Sequence, residues 1–418
     1  MIPCWTRLEK FFNYVLIFLL PTQLALHFWP SSSFVYGIRV DYLAPSIYLT
    51  DILFLAVFII WMGGNYKEFL KLIGKNKAYI LLFLFMVLLN TAFSTSVFPS
   101  IYKWIKLIEL GLFYLYVRAR GDIFNSKKLF NTFFYSLVIF SVIGISQFVL
   151  GRTLGGPLYL LGERSFNIST PGIALTQILG RSFMRAYSTF SHPNSFAGYL
   201  GLGLMVLLSI FSKNELIKKV WGILIICLAF ILTFSLSAAV GVITCATLFL
   251  LVNKKFFNAK KVIFFPAAFL LISLALPFVS NIVLNSKPNL PENVSQRLDL
   301  SSAAGSMIST KFLLGEGLNT FVVNEPKIKY LGTYLWTLQP VHNIFLLIFS
   351  ETGIAGISFF YFLLIKLTKR SLLFSGTTFY LSLFFILTSG LFDHYWFTLQ
   401  QNMFLAAFVL ANSFRVKR

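Results

Sequence analysis

The chain has 418 residues, of which 57% are hydrophobic and only 12% are charged. A soluble domain carries about twice that charged fraction, so the composition excludes a soluble globular protein and predicts an all-α polytopic membrane protein. The formal net charge of +21 would suit a nucleic-acid-binding protein. Most basic residues, however, lie in alternate connections between apolar segments, a distribution that marks one side of a membrane. We therefore expect no nucleic-acid partner.

Twelve apolar segments are near the length that an α-helix needs to cross about 30 Å of hydrocarbon. We predict that they are the transmembrane helices of a single transmembrane domain over residues 1–418. The predicted spans are 11–29, 46–62, 78–94, 100–117, 129–150, 193–212, 219–235, 236–252, 262–280, 342–365, 372–391 and 396–414. Placing the basic connections in the cytoplasm predicts that both termini are cytoplasmic.

Two predicted extracytoplasmic loops, 151–192 and 281–341, are longer than a connection needs. Loops of this length are usually functional or disordered, and neither loop is hydrophilic enough to indicate disorder. In the first loop, residues 158–161 and 173–175 are apolar and predict short helices lying on the membrane surface. In the second, the apolar residues at 298–313 are spaced as in a short amphipathic helix that packs on the bundle.

Two acidic residues fall inside predicted spans, where a charge is costly and is often functional. These are Asp51 in the second span and Glu109 in the fourth. Structural roles are equally open, because Asp51 could cap its helix and Lys106 could neutralise Glu109 across one helical turn. The three cysteines lie within predicted spans or at the inner terminus, a pattern that predicts no disulfide framework and no metal-ligand spacing.

Several candidates for chemistry lie at the predicted outer ends of spans. Arg181 and Arg185 precede Pro193 and Asn194, which begin the sixth span. Two arginines at this position could clamp a phosphate, or they could bind lipid head groups. In the turn between the last two spans, Asp393 and His394 have no membrane-anchoring role that would explain them, so they are further candidates.

His342 and Asn343 begin the tenth span. The N-terminus of a helix attracts anions, and a histidine placed there can act as a base near neutral pH. Before them, the long second loop carries Arg297 and the turn 315–319, which contains Asn319. Glu351 follows His342 by nine residues and would project to roughly the opposite face of a straight helix, which predicts a structural role for Glu351.

Taken in order, these motifs resemble a known family. The set Arg185…Pro193-Asn194, Arg297 followed by Leu314-Gly315-Glu316-Gly317, and His342-Asn343…Glu351-Thr352-Gly353 is similar to that of the O-antigen ligase and O-antigen polymerase superfamily of bacterial envelope glycosyltransferases. The resemblance covers a core region at 185–356 and implies a GT-C-like fold in the bacterial cytoplasmic membrane. This chain departs from many relatives at 235–239, where it lacks the arginine of a Ser-Arg-Gly-like turn.

The resemblance implies an inverting, metal-independent glycosyltransferase that needs no cofactor. The expected partners are an undecaprenyl-diphosphate-linked glycan donor, a glycan or lipid acceptor, and membrane lipids, as in lipopolysaccharide and other envelope polysaccharide biosynthesis. Arg185 and Arg297 would bind the diphosphate, and His342 would activate the acceptor hydroxyl at the outer face of the membrane. The expected supporting residues are Asn194, Asn319, Asn343, Asp393 and His394.

Two alternatives stay open at this point. A ligase and a polymerase share these motifs and differ in the acceptor, so the sequence does not separate them. A transporter or flippase for lipid-linked saccharides is the alternative function, and it would place ionisable groups near the middle of the membrane and often contain internal repeats. Here the polar groups crowd the predicted outer boundary, which favours transfer chemistry.

Overall fold

The computed structural model describes residues 4–251, 259–286, 290–328, 338–374 and 377–412. Some predicted features therefore lie outside the described residues: the cytoplasmic C-terminus beyond residue 412, and residues 287–289 and 329–337 of the loop predicted at 281–341.

Most of the described chain is α-helical, as expected where backbone polar groups must be paired within each membrane segment. The α-helices in chain order are α1 (Cys4–Leu19), α2 (Leu49–Lys75), α3 (Lys77–Ala92), α4 (Val97–Ala119), α5 (Gly121–Phe124), α6 (Lys127–Leu150), α7 (Pro193–Ile210), α8 (Lys213–Lys218), α9 (Val220–Leu232), α10 (Leu236–Leu251), α11 (Ala259–Ser286), α12 (Glu292–Thr310), α13 (Phe321–Ile328), α14 (Ile344–Phe374), α15 (Thr377–Gly390), α16 (Tyr395–Thr398) and α17 (Gln400–Ala411).

The membrane class is supported by the length and composition of these helices. In the described residues, five helical segments are long and apolar enough to cross a membrane: Leu49–Lys75, Lys127–Leu150, Pro193–Ile210, Pro266–Leu284 and Ile344–Leu367. Each of the twelve predicted spans overlaps a helix. The all-α membrane class is confirmed, whereas the number of crossings stays a prediction.

The first predicted span differs from the structure at its C-terminal end. It was expected to run over 11–29, but α1 ends at Leu19, just before Pro21. Proline lacks the N–H that a helix needs and disfavours helical geometry in the residue before it. The chain then forms strand β1 (Ala25–His27), which pairs antiparallel with β4 (Ser46–Tyr48). Between them, β2 (Phe34–Val35) pairs with β3 (Ile38–Arg39).

The connection at 151–192 contains both a helix and a hairpin. Residues 158–161 lie within a 3₁₀-helix at Gly156–Leu161, in agreement with the expected short helix. The second short helix, expected at 173–175, is wrong, because Leu175–Ile178 (β5) pairs with Arg181–Met184 (β6). The turn residues Leu179 and Gly180 both have positive φ, at 49° and 78°, and two such residues match the twist of a two-residue hairpin.

The connection at 281–341 is mainly helical in its described part, rather than a loop. Helix α11 continues to Ser286, and α12 and α13 follow. The buried residues of α12 include Leu300, Ala303, Ala304 and Met307, whose spacing of three and four places them on one face. That face packs on α11 and α14. The predicted amphipathic helix is therefore present, and at 19 residues it is longer than expected.

Helix α7 lies at the centre of the bundle and organises the site. It packs against α6, α9, α10, α15, α16 and α17. Almost all of its first eleven residues are buried, from Pro193 to Gly203. A residue near the N-terminus of α7 is therefore held in a fixed position relative to the turn between α15 and α16, where Asp393 and His394 lie.

Candidate active site

The segment that leads into α7 brings Arg185, His192 and Asn194 together. Pro193 occupies the first turn of α7 as predicted, because its fixed φ suits a helix start. The cap of this helix is His192, whose Nδ1 accepts a hydrogen bond from the Asn194 backbone N–H at 3.1 Å. The Asn194 side chain is consequently free to make contacts away from its own helix.

Asn194 connects Arg185 to Asp393. Arg185 Nη2 donates to Asn194 Oδ1 at 2.6 Å, and Asn194 Nδ2 donates to Asp393 Oδ2 at 2.8 Å. Both Asn194 and Asp393 are buried. The amide group of Asn194 therefore links the guanidinium of Arg185 to the carboxylate of Asp393 in one hydrogen-bond network.

Asp393 lies in the turn before α16 and is the only acidic residue of this group. Its Oδ1 accepts from the backbone N–H of His394 at 2.8 Å and lies 3.6 Å from Nδ1 of His342. Burial by itself would raise the pKa of Asp393, but the neighbouring imidazoles, that of His342 foremost, hold the pKa well below its usual range. Asp393 is therefore a carboxylate at neutral pH.

His342 lies two residues before the first residue of α14, at the entrance to the buried group. Its side chain is 15% exposed, and its Nδ1 has no hydrogen-bond partner in the described part of the chain. The 3.6 Å to Asp393 is too long for a hydrogen bond but short enough for electrostatic attraction. His342 thus combines access to solvent with a nearby negative charge.

Asn343 fixes the position of His342 by capping α14. Its Oδ1 accepts from the backbone N–H of Phe345 at 2.9 Å and of Leu346 at 3.0 Å. Its Nδ2 donates to Ser273 Oγ at 3.0 Å and to Leu391 O at 3.1 Å. All of these contacts are structural, so Asn343 supports the site as a helix cap.

His394 stacks beside His342, with ring centroids 5.2 Å apart. Its Nδ1 lies 2.7 Å from Thr398 Oγ1, and that hydroxyl donates to the His394 carbonyl at 3.1 Å. Because the hydroxyl has a single proton, Nδ1 of His394 carries the donor proton and Nε2 carries a lone pair. Burial lowers the pKa of His394 to about 3, so the ring is neutral.

The two predicted arginines both lie at this site, in different environments. Arg185 is partly buried, and burial lowers its pKa to about 10, so it stays charged at neutral pH. Arg297 is exposed on α12, and its Nη1 lies 3.5 Å from the carbonyl oxygen of Phe392, the residue before Asp393. The exposed guanidinium of Arg297 is available for an anionic ligand.

Three of these side chains could also ligate a metal ion. In the described residues, His342, Asp393 and His394 offer nitrogen and oxygen atoms that all lie within 4.8 Å of one another. Imidazole and carboxylate are ligands that divalent transition metals use. The positive charges of Arg185 and Arg297 act against a further cation, since both influence the charges of this group. The expected metal independence stays a prediction.

Asn319 does not contact the group directly. It has a positive φ of 62°, and its Nδ2 donates to the backbone oxygen of Tyr42 at 3.1 Å. The Tyr42 ring in turn packs edge-on against His394, with centroids 5.5 Å apart. Asn319 therefore lies one residue away from the site, next to Tyr42, and it also lines the polar cavity beside the site.

The glycine-rich turn near Asn319 packs against a helix. Gly315 has φ of +69°, and a Cβ there would lie 2.4 Å from the Glu351 backbone, while Gly353 has φ of +64° and approaches the Leu313 backbone as closely. Neither position tolerates a side chain. The buried Glu351 accepts from the Phe321 N–H at 3.1 Å through Oε1, which agrees with the structural role predicted for it.

The charged residues of the second and fourth predicted spans form a structural cluster. Asp51 Oδ2 accepts from the Tyr48 N–H at 2.9 Å and caps α2, as one of the two interpretations predicted. Lys106 pairs with Asp51 and, at 3.3 Å, with Glu109. Gln400 also contacts Asp51. These contacts account for both acidic side chains without a ligand.

Two cavities border this end of the bundle. A polar cavity of about 470 Å³ is lined by residues that include His192, Tyr42 and Thr398, all of which contact the site. An apolar cavity of about 320 Å³ is lined almost entirely by carbon, and Ile344 and Phe397 are among its residues. Both volumes lie in the range of roughly 300–1,000 Å³ that small-molecule sites occupy.

Sequence analysis did not identify His192, Tyr42 and Thr398 as members of the site. His192 stands between Arg185 and Pro193, and this position was the one signal that could have indicated it. Tyr42 and Thr398 belong to no motif, and only the fold brings them next to His394.

The chain is similar to known glycan-transfer proteins. The model of the O-antigen ligase family matches residues 221–361, a stretch that includes Arg297 and His342. ComP-specific O-oligosaccharyltransferase from Acinetobacter baylyi is 26% identical over 285 residues, which cover 63% of this chain and 48% of the relative. The chain therefore spans about half the length of that relative. These similarities confirm the predicted resemblance to the O-antigen ligase and polymerase superfamily.

Proposed function

We propose that this protein transfers a glycan from an undecaprenyl-diphosphate-linked donor to an acceptor hydroxyl at the outer face of the bacterial cytoplasmic membrane. The proposal rests on one observation above all: an accessible imidazole, a buried carboxylate and two guanidinium groups from four separate segments meet at one end of the bundle. Such a group suits a reaction in which a proton is removed while an anionic leaving group departs.

In the proposed reaction, His342 acts as the general base. Nδ1 of His342 faces Asp393 at 3.6 Å, so a neutral ring protonated on Nδ1 presents Nε2 to the acceptor. The acceptor oxygen forms a bond to the anomeric carbon of the donor as the bond from that carbon to the diphosphate oxygen breaks. The hydroxyl proton goes to His342, and the diphosphate leaves with the electron pair. A single displacement of this kind inverts the anomeric configuration.

Asp393 and the arginines stabilise the charges that this step creates. The carboxylate of Asp393 compensates the positive charge of His342 after it takes the proton. Arg185 and Arg297 bind the diphosphate oxygens, because a guanidinium offers paired donors that match phosphate geometry. These two positive charges remove the need for a metal ion in this mechanism. Asn194 holds Arg185 and Asp393 in register.

The apolar cavity supports a lipid-linked donor. It contains almost no polar lining and includes Ile344, the first residue of α14 and two residues beyond His342. A polyprenyl chain in this cavity would place its diphosphate close to the proposed base. The tail would gain free energy from leaving water, at about 25 cal/mol per Å² of buried apolar surface.

The proposal is tested by reconstitution of the purified protein with an undecaprenyl-diphosphate-linked glycan and candidate acceptors, with products identified by mass spectrometry. Transfer should depend on the acceptor offered, which distinguishes a ligase from a polymerase. His342→Ala and Arg185→Ala should each lower the transfer rate at least 100-fold, since general bases and charge-stabilising groups typically contribute about that much.

Arg152→Ala is the matched control, because Arg152 is an exposed arginine of the same connection and its loss should change the rate less than twofold. Normal transfer by a folded His342→Ala protein would overturn the assigned role of His342. A wild-type protein that moves labelled lipid across liposomes and never joins sugars would overturn the transferase proposal in favour of a flippase.

A further inference from the structure

The polar cavity is lined by a buried lysine that forms no ion pair within the described part of the chain, and the buried Glu351 attracts it from beyond 4.0 Å. Lys103 on α4 is 7% exposed and lines this cavity. Its Nζ lies 3.6 Å from Met403 Sδ and 5.5 Å from the centre of the Phe397 ring. Among the described residues, no carboxylate lies within 4.0 Å of it. A thioether and an aromatic face are weak partners for an ammonium group.

The other cations that line the cavity are already bound to oxygen. Lys106, one turn along α4, pairs with Asp51 and Glu109. Arg39 pairs with Asp41 at 3.8 Å, and Arg164 donates to the Ser191 carbonyl at 2.7 Å. A buried charge without an ion-pair partner is costly in free energy. Of the cations that line this cavity, Lys103 would therefore be stabilised most by an anionic ligand.

The rest of the lining suits a saccharide. Aromatic side chains from separate segments line the cavity, among them Tyr42 and Tyr159, and an aromatic face can cover the C–H surface of a sugar ring. Gln23 also lines the cavity, and its Oε1 is buried without a hydrogen-bond donor in the described part of the chain. A sugar hydroxyl is a donor that would satisfy this oxygen.

The cavity lies next to the site, because three of its lining residues contact residues of the site. His192 lines it and caps the helix that carries Asn194. Tyr42 and Thr398 also line it, and both contact His394. A saccharide bound there would therefore lie next to His394, with Tyr42 and Thr398 between the sugar and the imidazole.

We propose that the polar cavity is a saccharide subsite that selects an acidic sugar residue, with Lys103 pairing to the sugar carboxylate. This inference deepens the proposed transferase function and rests on it for its biological meaning. The acidic sugar could belong to the donor glycan or to the acceptor glycan, because both must approach His342. Binding itself requires no transfer, so it can be measured separately.

The test uses the full-length protein in detergent with two free disaccharides, glucuronosyl-glucose and its neutral counterpart cellobiose. Titration calorimetry should show that wild-type protein binds the acidic disaccharide at least tenfold more tightly. Lys103→Met should abolish that preference and leave the affinity for cellobiose within about twofold. Lys103→Arg keeps the charge and should retain most of the preference.

Gln23→Glu is a second variant of nearly unchanged size, which adds a negative charge inside the cavity. It should weaken binding of the acidic disaccharide at least tenfold while changing cellobiose binding little, even if Lys103→Met fails to fold. His342→Ala should bind both disaccharides normally, so failure of transfer and failure of this subsite are distinguishable. To distinguish the donor glycan from the acceptor glycan, transfer is measured with the acidic sugar placed only on the donor or only on the acceptor. The placement that supports transfer identifies which glycan occupies the cavity.

Equal affinity of wild-type protein for the two disaccharides would overturn the proposal. It would also be overturned if the preference survived in Lys103→Met, or if phosphatidylglycerol vesicles competed for the cavity and the acidic disaccharide did not. The last outcome would assign Lys103 to a lipid headgroup.

Discussion

Two buried carboxylates in different parts of the bundle, Glu9 and Asp393, differ in how completely they are paired. Glu9 and Asp393 are each 4% exposed. Glu9 accepts from Arg120 at 2.8 and 3.2 Å, a two-point contact beyond the C-terminal end of α4. It also accepts from the hydroxyl of Tyr116 at 2.9 Å. Asp393, by contrast, lies 3.6 Å from His342 Nδ1, a nitrogen that has no hydrogen-bond partner in the described part of the chain.

The difference separates a structural ion pair from a candidate catalytic one. In the pair of Glu9 and Arg120, most of the electrostatic gain is already realised within the protein, so a ligand would have little to add. In the group around Asp393, the imidazole of His342 keeps an unpaired nitrogen and Arg297 keeps an exposed guanidinium. Burial of an acidic residue is thus a weak indicator of function. Neighbouring polar groups that have no hydrogen-bond or ion-pair partner are a stronger indicator.

Breaking the ion pair of Glu9 and Arg120 should give the largest predicted loss of stability. Arg120→Met leaves the Glu9 carboxylate buried without its cation, and this should lower the free energy of unfolding by about 3–5 kcal/mol. The transfer rate per folded molecule should stay within twofold of wild type. Thermal unfolding in detergent and a transfer assay on the folded fraction measure the two quantities. Unchanged stability, or lost transfer in folded protein, would contradict the comparison.

Changing the other carboxylate should affect the rate more than the stability. Asp393→Asn keeps the shape of the side chain and removes the charge that compensates a protonated His342. We expect transfer to fall about 100-fold, equivalent to about 2.7 kcal/mol of activation free energy, with a loss of stability of about 1–2 kcal/mol because neutral hydrogen bonds replace charge-assisted ones. Wild-type transfer rates in this variant would show that the carboxylate has no part in the reaction.

The smallest predicted effect concerns the histidine that caps α7. Desolvation lowers the pKa of His192 to about 4, below its unfolded value of about 6.5, although part of the side chain is exposed where it lines the polar cavity. Between these two pH values the unfolded state therefore binds more protons at His192 than the folded state does. The contribution of His192 to the free energy of unfolding is constant above about pH 6.5 and is lost as the pH falls toward 4. His192→Asn keeps a capping acceptor and should reduce this slope by well under the roughly 1.4 kcal/mol per pH unit of a fully buried group, because solvent screens the exposed ring. Unfolding temperatures at pH 5 and pH 7 measure the slope, and identical slopes in both proteins would refute the assignment.

Much of the architecture could be predicted because apolar length alone determines where helices form in a membrane. The ends of the helices were harder to predict, since Pro21 terminates the first helix earlier than hydropathy suggests. The hairpin at Leu179, which has a positive φ, is indicated by no sequence motif. Several site candidates were predicted from residue type at a span boundary, and the fold brings Arg185, Asn194, Arg297, His342, Asp393 and His394 together.

The remaining contacts of the site depend on tertiary structure. Asn343 was expected as a supporting residue, but its role as a helix cap is visible only from its bonds to Phe345 and Leu346. Asn319 contacts Tyr42, which packs against His394, and this contact is visible only in the fold. The environment of Lys103 is a further example, because Asp51 and Glu109 place their carboxylates on Lys106 rather than on Lys103, and a linear sequence does not contain that information.

One wall of the two cavities has a consequence for orientation. Met403 lines both cavities, and the consecutive residues Lys103 and Trp104 line the polar and the apolar one respectively. An amphiphile that occupied both cavities would have Met403 beside the junction of its head and tail, with Lys103 near the head and Trp104 near the tail. Its depth and direction would then be set by solubility alone, so the protein would need no moving gate to align it.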